Sequence, residues 1–156
     1  MVQSAGSERD AIRRLVRELG AGEGTRTASA EEVARLRDFF AHRVLRSYVD
    51  GYIMAKYEQH VEIDQHWPSD TTPEEYLESL RQTVLDPSSD IYLTDDGGDE
   101  DWSVYFVGRV RRDWHGRRGS SRLLVIFNGE QHRFVTGFQP ETDDYVDRQG
   151  GFWVRT

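Results

Sequence analysis

Three runs, Ser103-Val-Tyr-Phe-Val-Gly-Arg-Val-Arg-Arg112, Arg122-Leu-Leu-Val-Ile-Phe-Asn128 and Gln131-His-Arg-Phe-Val-Thr-Gly-Phe-Gln139, decide the fold. β-Branched and aromatic residues crowd them, as a pleated, half-buried surface requires. In the first run Val104, Phe106 and Val110 point one way, while Tyr105, Val107, Arg109 and Arg111 point the other. The second, Leu123 to Phe127, is apolar on both sides and belongs at the centre of a sheet. Asn128-Gly129 predicts a tight hairpin into the third. There, alternation puts His132, Phe134, Thr136 and Phe138 on one face, with a bulge expected at Gly137. Across the sheet, Arg109 or Arg111 is then expected near Thr136. Ile91 to Thr94 supplies a short strand before these runs, and Phe152 to Val154 one after them.

Upstream, the pattern changes to helical. Ser7-Glu-Arg-Asp10 resembles a capping box, and Ile12, Leu15, Val16 and Leu19 follow at helical spacing until Gly20, giving a helix over about 8–19. The Gly-rich connector behind it would let that helix act as a movable arm. Ser29-Ala-Glu-Glu32 caps a longer helix with the stripe Val33, Leu36, Phe40, Val44 and Tyr48, which Gly51 ends or kinks. Ile53, Lys56, Tyr57 and His60 then share a helical face. Thr72-Pro73 opens a helix whose buried side is Tyr76, Leu77, Leu80, Val84 and Leu85, and Asp86-Pro87 closes it. Helices followed by strands give an α+β fold, with N-terminal helices packed on a twisted antiparallel sheet of about four to five strands. The expected organisation is a helical arm over 1–50 and an α+β body over 51–156, together one compact unit.

Composition narrows the function. The chain has 156 residues and no cysteine, which excludes disulfide scaffolds, thiolate metal sites and cysteine nucleophiles. No leader-like or membrane-spanning run is present, so a cytoplasmic site of action is expected, with delivery into a target cell as one route to it. The net charge is -8, which counts against general nucleic-acid affinity. It is unevenly spread: residues 62–101 hold thirteen acids against Arg81, whereas 102–136 hold seven arginines against Asp113 and Glu130. HExxH, CxxC and phosphate-loop motifs are missing. The acidic loop Asp95 to Asp101 and the turn Gly116 to Gly119 read as ordinary solvated turns.

Four pieces occur in a familiar order: Glu58-Gln-His-Val61; Thr72-Pro-Glu-Glu-Tyr-Leu with Leu85-Asp-Pro87; Phe106-Val-Gly-Arg109; and Val135-Thr-Gly-Phe-Gln-Pro140. Over about residues 55–140 this resembles the barnase/EndoU/colicin/RelE nuclease superfamily, in its toxin and phage branches. The resemblance implies a metal-independent, toxin-like endoribonuclease, with transfer RNA among its candidate substrates, in which a ribose 2′-hydroxyl attacks the adjacent phosphate. By position it implies His60 for proton transfer, Arg109 for the phosphorane charge and Thr136 for orienting a phosphate oxygen. Arg111, Tyr105 and Lys56 are expected to assist substrate binding. Imidazole and guanidinium suit those tasks chemically. The expected partners are RNA and a cognate immunity or antitoxin protein, with no membrane, no cofactor and no metal.

Two other readings compete. His60, Asp64 and His66 form a nitrogen-and-carboxylate set of the kind that holds zinc. The acidic stretch fits a non-catalytic protein-binding module, or an acidic inhibitor that mimics nucleic acid.

Overall fold

The computed structural model describes residues 5–21, 26–46, 51–95, 102–110 and 120–156. In chain order it forms α1 (Ala5–Ala21), β1 (Arg26–Thr27), α2 (Ala30–Phe39), a wide helical turn over Phe40–Val44, α3 (Gly51–Tyr57) and a second wide turn over Glu58–Ile63. Next come α4 (Pro73–Leu85), β2 (Asp90–Asp95), β3 (Trp102–Arg109), β4 (Arg122–Asn128), β5 (Arg133–Phe138) and β6 (Phe152–Arg155). This is an α+β fold whose helices precede all but the two-residue β1. Strand order is β1-β6-β2-β3-β4-β5; the five strands from β6 to β5 are antiparallel, and β1 lies parallel to β6.

α2 and α4 start where the sequence places caps, whereas α1 begins at Ala5, ahead of the expected cap at Ser7. Ser29 and Thr72 each accept from the backbone N–H three residues on, and Glu32 and Glu75 return the bond to the cap's own N–H. Gly51 opens α3 rather than ending the helix before it. Tyr48, Arg111, most of the acidic loop and the turn at 116–119 fall outside the described residues.

Both faces of the sheet are covered, which is why β4 reads as apolar throughout. On one side Val104, Phe106, Leu123, Val125, Phe127 and Phe134 share a core with residues of all four helices. Ile12, Leu15, Val16 and Leu19 of α1 belong to that core, so α1 is packed into the body. On the other side Tyr92, Tyr105, Val107, Leu124 and Ile126 are covered by the segment after β5, through Tyr145 and Val146.

The third run differs from strict alternation. The register shifts between Ile126, opposite Thr136, and Phe127, opposite Phe134, so the extra residue is Val135 and the bulge lies two residues before Gly137. Phe134 therefore joins the helix side, while Thr136 and Phe138 face the other way. Gly137 serves a different purpose: a Cβ there would fall inside the Leu80 side chain, so glycine lets α4 approach β5. The β4–β5 connection is also longer than a two-residue hairpin, since Asn128 pairs with Arg133. Asn128 Oδ1 accepts from the N–H groups of Glu130 and Gln131, and His132 takes a positive φ of 56°.

Candidate active site

β5 is an edge strand, and α3 packs along it. The end of that helix wraps around the edge to reach side chains on the sheet's far face. After Tyr57 the helix widens, with Asp64 N–H bonded to Gln59 C=O five residues back at 2.8 Å. This winding brings His60 against β5: its Nε2 lies 2.9 Å from Thr136 Oγ1. Phe138, two residues along the same strand, stacks on the imidazole at 5.6 Å between centroids.

Asp64 stands on the other side of the ring, with Oδ2 3.2 Å from His60 Nδ1. The angle there does not make a good hydrogen bond. Carboxylate, imidazole and hydroxyl thus lie in a row. Two tautomers fit it: a proton on Nδ1 faces Asp64 and leaves Nε2 to accept, whereas a proton on Nε2 is donated to Thr136 Oγ1 and leaves the Nδ1 lone pair facing the carboxylate.

His66 completes the cluster. It stacks on His60 at 5.2 Å and 20°, and its backbone N–H donates to His60 C=O at 2.8 Å. Gln65, between Asp64 and His66, has a φ of 56°, a left-handed conformation that turns the chain back on itself. His60 is 6% exposed and His66 1%. Burial first, and then the neighbouring imidazole, hold His60 well below its ordinary pKa against the pull of Asp64, so the ring is neutral at pH 7.

The other residues singled out from sequence lie further away. Lys56, one turn before His60, holds its ammonium 5.7 Å from the Tyr52 ring centroid and 3.5 Å from Gln59 Oε1. Tyr105 is buried in the row Tyr105–Ile126–Thr136, two strands from Thr136. Arg109 is exposed at the end of β3 and opposes Arg122. It shares the face of Thr136 but lies four residues and two strands away, about 16 Å by strand spacing. The expected proximity of Arg109 and Thr136 is therefore not found: both sit on one face, but at different levels of the sheet. Arg122 donates to Asp143 C=O at 2.7 Å and lies over the Trp153 ring.

Asp64 as a neighbour of His60 was legible as an i,i+4 pair beside the candidate histidine. Phe138 was legible too, since alternation puts it on the face of Thr136; what the Val135 bulge changes is Phe134, which turns to the helix side. The whole is an α+β protein with a carboxylate–imidazole–hydroxyl row at the edge of its sheet. No protein-family model matches the chain, and no curated protein or solved structure matches it.

Proposed function

We propose that the protein is a metal-independent endoribonuclease acting at His60 and Thr136. The observation that carries this reading is the 2.9 Å approach of His60 Nε2 to Thr136 Oγ1, between residues 76 positions apart in sequence. In the acting tautomer the Nδ1–H faces Asp64, whose charge favours the imidazolium as Nε2 takes the proton of a ribose 2′-hydroxyl. That oxygen attacks the adjacent phosphorus and the 5′-oxygen leaves, picking up a proton from solvent. The products are a 2′,3′-cyclic phosphate and a 5′-hydroxyl end. Thr136 Oγ1 donates to a non-bridging phosphate oxygen.

Lys56, whose charge acts on His60, takes the place of Arg109 as the cation that meets the phosphorane charge. Arg109 and Arg122 lie at the far end of the sheet face that bears Thr136, separated from it by the part that Tyr145 and Val146 cover, so they are left out of the proposed phosphate site. Thr136 itself is only half-buried.

The test is incubation of total RNA with the protein in EDTA, with the ends of the products identified. Wild type is expected to leave cyclic phosphate ends. His60→Ala and Thr136→Val are expected to lose activity, Thr136→Val by at least about tenfold. A wild-type protein as inactive as His60→Ala would overturn the reading and favour the non-catalytic binding module.

A further inference from the structure

We infer that His60, Asp64 and His66 form a binding site for one divalent transition-metal ion of the zinc class, and that its occupancy switches off the His60–Thr136 pair. One ligand atom from each residue, two imidazole nitrogens and a carboxylate oxygen, lies within 4.8 Å of the others. Ligands about 2.1 Å from a tetrahedral zinc lie about 3.4 Å apart, so closure asks the ligand atoms to draw in by up to about 1.4 Å and one of the two stacked rings to turn, since each ring binds an ion lying in its own plane. The His60–Asp64 edge, at 3.2 Å, already has that length.

Three features suit the site to a cation. Two buried imidazoles and one carboxylate give a donor set of one negative charge, the composition of many open zinc centres, with a fourth position left for water. His60 is arranged as metal-bound histidines are: one nitrogen toward the cluster, the other toward an oxygen acceptor, here Thr136 Oγ1 at 2.9 Å. And in that tautomer the buried Nδ1 lone pair confronts the Asp64 carboxylate, two acceptors at 3.2 Å with only a proton or a cation able to reconcile them.

The switch follows from the tautomers. A metal on Nδ1 fixes the proton on Nε2, which can then donate to Thr136 but cannot accept from a ribose hydroxyl. This regulatory half rests on the ribonuclease reading; metal binding itself does not.

Cobalt(II) is the probe, because it occupies zinc sites and absorbs visible light when bound by protein ligands. Titration of the whole chain is expected to give one ion per chain, displaced by zinc. Asp64→Ala and His66→Gln are expected to weaken binding at least tenfold, and Asp64→His, which restores a ligand, to retain it. Circular dichroism checks folding; should buried His66 not tolerate change, the Asp64 pair, at a partly exposed position, decides alone. No saturable cobalt binding, or binding indifferent to Asp64→Ala, overturns the site. In the RNA assay, zinc is expected to suppress wild-type cleavage and EDTA to restore it. Cleavage unchanged by bound zinc overturns the switch, whereas no cleavage even in EDTA overturns the ribonuclease reading and leaves the cobalt result standing.

Discussion

His132 shows what burial does to a single titratable residue in this fold. It lies in the β4–β5 turn, edge-on to Phe39 at 4.8 Å, with Nδ1 accepting from Arg9 Nε at 3.3 Å. Burial first, then Arg9 and Arg13 of α1, push its pKa down to about 4, against the weaker pull of Glu130 in its own turn. As pH falls the unfolded chain therefore takes up the proton first. The stability held by the neutral ring is full above about pH 6.5 and is lost as pH drops toward 4. For a ring this buried, the loss by pH 4.5 is about 2 to 3 kcal/mol. Urea midpoints measured from pH 7.5 to 4.5 are expected to fall accordingly, and His132→Gln to fall less steeply over the same interval. A variant with an identical slope would remove His132 from the account. Reading this from sequence was out of reach, because alternation placed His132 in the strand with Thr136, whereas a positive φ holds it in the turn.

At the scale of elements, α4 meets β5 at Gly137. Leu80 occupies the space a side chain would need, and Tyr76 Oη donates to the Gly137 carbonyl at 2.9 Å from a fully buried ring. Gly137→Ala is expected to cost about 1 to 3 kcal/mol by overpacking, read as a lower urea midpoint with an unchanged m-value. A neutral result would mean that the two elements separate freely. The elements themselves were legible because their signals are local: capping boxes at Ser29 and Thr72, Pro73 in the first turn, a doubly apolar β4. The bulge at Val135 was not, since nothing in Arg-Phe-Val-Thr-Gly-Phe says which residue goes unpaired; packing against Leu80 and Phe127 selects it. The cover over the second face was also hidden, because Tyr145 and Val146 sit in a polar, strandless segment that periodicity does not single out.

For the whole molecule, the question is whether α1 is an appendage. Its four apolar residues are buried with the strands and α2, and outside them Arg13 donates to the Glu130 carbonyl while Arg17 pairs with the Glu130 carboxylate. Each buried aliphatic side chain is worth about 1.5 to 3 kcal/mol, so together they approach the total stability of a typical domain. Removing residues 1–21 is expected to give a chain that has lost cooperative unfolding and binds hydrophobic dyes; a truncated protein with a sharp transition would show that the helix is dispensable. The glycine-rich connector had pointed to a movable arm, because flexibility of a linker is visible in composition while docking of what it carries is not. No helix among the described residues is long and apolar enough to cross a membrane.

The place of β6 in the sheet has a consequence for the order of folding. β2, β3, β4 and β5 pair with neighbours in sequence and can zip as a meander. β6 instead inserts between β2 and β1, joining Arg26 to Val154 across most of the chain. Closing so long a loop is entropically slow, and those ladders reward it only after the meander exists. The docking of β6 together with the Tyr145–Val146 segment that precedes it is then expected to come last. Until that happens the face bearing Tyr105, Leu124 and Ile126 stays open, and an otherwise nearly complete sheet remains adhesive.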